Sequence, residues 1–215
     1  MFENYYVGMV AVVVVSYLLG SIPTAYFIAK LKGVNIFEVG SGNMGATNVS
    51  RSLGTEWGVA VMALDMFKGV VAIAISRLLM PESTAAATTI SAISTIIGHN
   101  WSLFASVFTG TIKGGKGAST AFGTLLMIAP VQVIVAMAVL GLVIVARTRY
   151  VSLGVLIAFT LAIIWLNILV LQKFLTVEVF HYSMVLGLLL LMRFRENIQR
   201  LLTGTERRFG DKASA

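Results

Sequence analysis

The chain contains no cysteine, which excludes a disulfide framework, a thiolate nucleophile and any cysteine-ligated metal. Its only histidines are His99 and His181, too few for a histidine-rich zinc centre, and no other residue pattern argues for a metal or a cofactor. Charge is scarce too: 12% of the 215 residues are Asp, Glu, Lys or Arg, against 58% hydrophobic, and mean hydropathy is +0.91. A water-soluble globule of this length has no use for so much apolar surface, so the sequence reads as an integral membrane protein. The opening MFENYY lacks a basic region and no convincing cleavage site precedes the SIP at 21–23. The first apolar run therefore reads as a permanent span rather than a signal peptide. The formal charge of +7 is scattered among the apolar runs instead of forming one stripe, which points away from nucleic acid and toward membrane topology and anionic partners.

A helix that crosses a bilayer takes roughly 20 mainly apolar residues. On that measure helices are expected near residues 5–29, 56–79, 84–108, 118–128, 130–146, 151–171 and 178–193, followed by a basic tail, 194–215. Residues 118–146 also read as one long tilted helix containing Pro130. The cations decide between the two. With two short helices, every Lys and Arg except Lys68, Arg77 and Lys173 falls on one side, as the positive-inside rule requires; with one helix, Arg147, Arg149 and the tail cross over. The expectation is an all-α polytopic membrane protein, a single domain over 1–215, with seven transmembrane helices, N-terminus outside and C-terminus cytoplasmic.

That topology gathers the unusual polar segments on the cytoplasmic face. Residues 39–54, VGSGNMGATNVSRSLG, hold four glycines, three serines, two asparagines, a threonine and an arginine. Arg51 offers a planar fork suited to phosphate, and Ser41, Asn43, Thr47 and Asn48 suit hydroxyls. The plain alternative is an interfacial loop whose glycines permit a turn. Residues 113–120, KGGKGAST, set Gly114, Gly115 and Gly117 around Lys116 just before an apolar helix. Glycine lets successive N–H groups turn onto an anion, and the helix N-terminus adds partial positive charge. The spacing is not that of a Walker A loop, so nucleotide is disfavoured, and a tight loop with a snorkelling lysine is the plain alternative. The third segment is RFRENIQRLLTGTE, 193–206.

Asp65 and Lys68 lie three apart on one helical face, at a depth where an unpaired charge is costly. They read either as a structural ion pair or as part of a polar cavity. His99, in GHN, reads as a packing or capping residue or as a substrate contact. No Ser-His-Asp set is readable and no HxxxxD pair occurs, so any reaction here rests on positioning and charge rather than on a conventional base.

GSIPTAY at 20–26, SGNMGATNVSR at 41–51, DMFKG at 65–69, GHN at 98–100, GGKGAST at 114–120 and RENIQRLLTGTE at 195–206 together resemble the acyl-phosphate:glycerol-3-phosphate acyltransferases, the PlsY family of bacterial membranes. The resemblance implies a seven-helix, multi-pass enzyme of the bacterial cytoplasmic membrane. It implies transfer of an acyl chain from acyl phosphate to the sn-1 hydroxyl of glycerol-3-phosphate, giving 1-acyl-glycerol-3-phosphate (lysophosphatidate) and phosphate for phospholipid synthesis. Residue by residue it implies that Gly114, Gly115 and Gly117 cradle a phosphate that Lys116 neutralises. Ser41, Asn43 and Arg51 then hold glycerol-3-phosphate, and Asn197 joins them from the last helix. Lys116, Arg51 and Asn197 are the expected catalytic residues, and Thr47, Asn48 and His99 are expected to help bind substrate. The expected partners are the two substrates and membrane lipids, with no nucleic acid, and a monomer is expected.

The chain departs from the family pattern in three places. Phe194 stands where a histidine is usual before Asn197, Ser102 stands where a proline is usual, and fourteen residues separate His99 from the GGKG run, about five more than the family pattern leads one to expect. Two further readings remain open at this stage. One is a transporter or channel for a phosphorylated metabolite, and the other a weakly active paralogue that uses another phosphorylated acceptor.

Overall fold

The computed structural model describes residues 2–211; Met1 and, at the end of the expected basic tail, Lys212 to Ala215 lie outside the described residues. Apart from one isolated bridge between Ser102 and Lys113, the regular structure of the described residues is helical. The chain forms two compact units, one running up to Met127 and the other beginning at Ile128.

The first unit opens with α1 (Phe2–Ser21) and α2 (Thr24–Leu31). The expected helix at 5–29 is therefore two pieces, because Pro23 has no N–H to donate and crowds the preceding turn. A glycine-rich loop leads to α3 (Ala46–Leu53), which was expected to be loop, and Gly54 alone separates α3 from α4 (Thr55–Leu79). Gly54 has φ +103°, a left-handed conformation that only glycine adopts readily. A 3-10 turn at Pro81–Ser83 leads into α5 (Thr84–Asn100), and α6 (Leu103–Thr109) follows. The expected helix at 84–108 is thus also interrupted. Ser102 caps α6, its hydroxyl accepting the Ala105 N–H at 3.0 Å and donating to the Ser21 carbonyl. The unit closes with α7 (Ala118–Ile128).

Helices α1, α4 and α5 pack on one another, and small residues set their separation. A Cβ at Gly20 would run into the Thr95 carbonyl, and one at Gly98 into the Tyr17 carbonyl, so α1 and α5 touch backbone to backbone as small-residue membrane helices do. Gly123 on α7 meets Met66 on α4 in the same way. Below the glycine-rich loop, Ala25, Ala29, Ile36, Met44, Val49, Val61 and Ala105 form a buried cluster, which fixes α2, the loop, α3 and α6 on α4.

The second unit is α8 (Val131–Thr148), α9 (Val151–Leu171) and α10 (Val177–Leu202), with α9 packed on both neighbours. Pro130 sits at the N-cap of α8, where its fixed φ is tolerated, so residues 118–146 are two helices. The last helix runs nine residues past the expected end at 193, since nothing breaks it before Thr203 and Gly204, the latter at φ +72°. Among the described residues, five segments are long and apolar enough to cross a membrane: Tyr5–Leu31, Thr55–Leu79, Val131–Thr148, Val151–Leu171 and Val177–Leu202. Helices α5 and α7 have 17 and 11 residues; at about 1.5 Å per residue neither reaches the roughly 30 Å of a bilayer core.

Candidate active site

The loop from Gly33 to Gly45 is built around one side chain. Asn48, 2% exposed, accepts the Ser41 N–H at 2.8 Å and donates to the carbonyls of Ile36, Val39 and Asn43, each at 3.1 Å. A buried amide that satisfies four backbone groups sets the path of the chain between them. It thereby fixes the backbone at Ser41 and Asn43, both half-buried. Asn43 donates to the Ser41 carbonyl at 3.3 Å. Thr47 and Arg51, also half-buried, project from α3, with Arg51 in its last turn.

The second loop is laid directly on the end of α5. The Gly115 N–H donates to the His99 carbonyl at 3.0 Å and the Ser102 N–H to the Lys113 carbonyl at 2.9 Å. The three glycines are demanded by contact. A Cβ at Gly114 would enter the Asn100 carbonyl, one at Gly115 would enter His99 Nε2, and one at Gly117, where φ is +78°, would lie 2.6 Å from Asn100 Oδ1. The Gly117 carbonyl accepts the Ala121 N–H at 2.7 Å, so the loop flows straight into α7. Its backbone thus approaches the partially positive helix end that favours anions. Lys116 is half-buried on this loop.

Beneath it lies a polar chain inside the helix pack. Asp65, Lys68 and His99 are 1%, 6% and 3% exposed. The Thr24 hydroxyl donates to Asp65 Oδ1 at 2.6 Å. Lys68 Nζ lies 2.9 Å from the same oxygen, 2.8 Å from His99 Nδ1 and 3.2 Å from the Ile22 carbonyl. Asn100, 1% exposed, turns its amide toward Gly117 without a hydrogen-bond partner among the described residues.

The two loops are neighbours in the first unit, since Lys113 Nζ stands 5.5 Å over the Phe37 ring. Asn197 belongs to the second unit, on α10, and donates to Glu206 Oε1 at 2.9 Å, while Arg200 Nε donates to Glu206 Oε2 at 3.0 Å. Phe194, one turn earlier, is 4% exposed. Sequence reasoning named both loops but not Thr24 or Asn100. The asparagine of GHN was the available signal, a polar residue at the apolar end of a helix.

A glycine loop on a helix N-terminus that carries Lys116, a short helix that carries Arg51 and several membrane-length helices define the class, an integral membrane protein with polar loops set on an apolar helix pack. The glycerol-3-phosphate acyltransferase family profile matches residues 10–204. A glycerol-3-phosphate acyltransferase of Halalkalibacterium halodurans is 39% identical over 93% of this chain and 95% of its own. Glycerol-3-phosphate acyltransferase 1 of Deinococcus radiodurans is also 39% identical, over 93% and 94%. The crystal structure of PlsY (YgiH), an integral membrane glycerol 3-phosphate acyltransferase, in its glycerol 3-phosphate form superposes with a TM-score of 0.81 at 38% identity, covering 94% of this chain and 96% of that one. Its lysophosphatidic acid form gives 0.79 at 37%. The chain belongs to the glycerol-3-phosphate acyltransferase family.

Proposed function

We propose that this membrane acyltransferase moves an acyl chain from acyl phosphate to the sn-1 hydroxyl of glycerol-3-phosphate, forming lysophosphatidate and inorganic phosphate for phospholipid synthesis. The hydroxyl oxygen attacks the acyl carbon, the bond from that carbon to the phosphate oxygen breaks, and the hydroxyl proton ends on the departing phosphate. The donor is already activated, so holding two phosphates in line is the main task and no side-chain base is required. The observation that supports this reading is the Gly114–Gly117 loop, packed on the end of α5 and running directly into the N-terminus of α7 with Lys116 half-buried on it.

In this reading Lys116 and the loop N–H groups other than that of Gly115, which the His99 carbonyl holds, bind the donor phosphate and stabilise the charge it gains as it leaves. Arg51 grips the acceptor phosphate with its fork, while Ser41, Asn43 and Thr47 orient the glycerol hydroxyls. Asn48 shapes their loop, His99 supports the glycine loop, and Asn197 keeps the substrate role that its motif implies. The whole chain, 1–215, acts as one acyltransferase domain of the bacterial cytoplasmic membrane, working as a monomer. Seven membrane-embedded helices with the N-terminus outside are retained here, α5 and α7 being short helices shielded by their neighbours.

The test is product formation by the detergent-purified protein offered glycerol-3-phosphate with acyl phosphate, acyl-CoA or acyl-carrier protein. Lysophosphatidate from acyl phosphate alone supports the reading. Product from a thioester donor alone overturns its donor assignment.

A further inference from the structure

Lys68 is an ammonium with three N–H donors, and three acceptors surround it: Asp65 Oδ1 at 2.9 Å, the Ile22 carbonyl at 3.2 Å and His99 Nδ1 at 2.8 Å. An ammonium accepts nothing, so with Lys68 paired to Asp65 the His99 Nδ1 must offer its lone pair. Asp65 Oδ1 lies 3.7 Å from Nδ1, beyond hydrogen-bond reach. The ring proton therefore sits on Nε2. That nitrogen is the one a Cβ at Gly115 would strike, and the His99 carbonyl holds the Gly115 N–H at 3.0 Å. His99 thus supports the loop at two points, one through its backbone and one through its ring edge.

We infer that Asp65 and Lys68 are positioning residues that fix His99 as the Nε2–H tautomer, so that a neutral imidazole N–H borders Gly115 and adds a donor edge to the phosphate loop. The inference rests on the reading of that loop as the donor-phosphate site. Thr24 extends the chain by one link through its 2.6 Å hydrogen bond to Asp65. A network in which each member orients the next is the usual means of selecting an imidazole tautomer. It differs from the plain ion-pair role in what it predicts: a charge pair that only stabilised the helices would leave the imidazole tautomer and phosphate affinity unchanged when removed together.

With only two histidines in the chain, His181→Gln leaves a single imidazole for nitrogen-15 spectroscopy of the intact protein in detergent. The expected spectrum shows an unprotonated, pyridine-type Nδ1 and a protonated, pyrrole-type Nε2, with the Nε2 signal shifting when inorganic phosphate is added. The double variant Asp65→Asn with Lys68→Met removes both charges at once and avoids stranding one of them. It should scramble the tautomer and lower kcat/KM for acyl phosphate about 100-fold, through KM for the donor rather than for glycerol-3-phosphate. His99→Gln, which keeps a donor at the distance of Nε2, should recover more activity than His99→Asn. A proton on Nδ1 in the parent protein, or a double variant with unchanged tautomer and donor KM, overturns the inference. Failure of the underlying reading looks different: no phosphate release by the parent protein whatever its tautomer.

Discussion

Asn48 and Ser41 are seven residues apart, and the side-chain oxygen of the first accepts the backbone N–H of the second at 2.8 Å. The same amide holds the carbonyls of Ile36, Val39 and Asn43, so one buried residue determines where Ser41 and Asn43 stand. Asn48→Ala leaves several backbone groups unpaired in a buried place, at an expected cost on the order of 3 kcal/mol. That corresponds to a fall of roughly 6–12 °C in unfolding temperature for a chain of this size. Asn48→Asp keeps the acceptor for Ser41 but turns a carboxylate on three carbonyls, and is expected to be no better. Thermal unfolding in detergent, read beside KM for glycerol-3-phosphate, checks both.

Gly115→Ala drives a methyl group into the His99 ring, and Gly117→Ala adds both a contact with Asn100 and a disfavoured φ of +78°. Each is expected to cost about 1–3 kcal/mol of stability and to lower kcat/KM far more than that loss of folded protein explains. The measurement is activity per folded molecule. Variants that stay folded and fully active would show that the glycines merely turn the chain.

How much of this was legible beforehand follows from the range over which each signal acts. The Asp65–Lys68 pair could be read because three residues along a helix is a neighbour relationship. Its completion by His99, 31 residues beyond Lys68, could not, since that meeting depends on how α4 and α5 pack. The break at Pro130 was readable from the one-sided distribution of Lys and Arg rather than from the proline itself, which a tilted helix also accommodates, and the glycine loop at 114–117 was readable from its own residues. The break after Asn100 was not, because the cap is Ser102 and a serine carries that role only in its folded setting. Asn48 shows the same limit: an asparagine beside Arg51 reads equally as a substrate contact or as a loop staple, and its burial assigns it to the second. The span number was hard to read because α5 and α7 are apolar yet short.

Arg51→Lys keeps the charge but loses the planar fork, so the account expects KM for glycerol-3-phosphate to rise about tenfold with kcat little changed. Initial rates over a range of acceptor concentration, at saturating acyl phosphate, measure it. A rise confined to the donor KM would exchange the roles assigned to Arg51 and Lys116.

Gly20→Val puts a branched side chain against the Thr95 backbone, where even a single Cβ collides. The expected outcome is a loss of at least about 2 kcal/mol, because backbone has little room to give. Thermal unfolding checks it. The same substitution at Gly187, where an added Cβ would only touch Ile163 at 3.5 Å, serves as the control and should be close to neutral.

The most direct test of the central claim is inorganic phosphate released from palmitoyl phosphate by the purified protein, with and without glycerol-3-phosphate, beside Lys116→Ala. The account predicts release that depends on the acceptor and falls at least about 100-fold in the variant, while its unfolding temperature stays near that of the parent. Release that ignores glycerol-3-phosphate, or that survives Lys116→Ala undiminished, would contradict it.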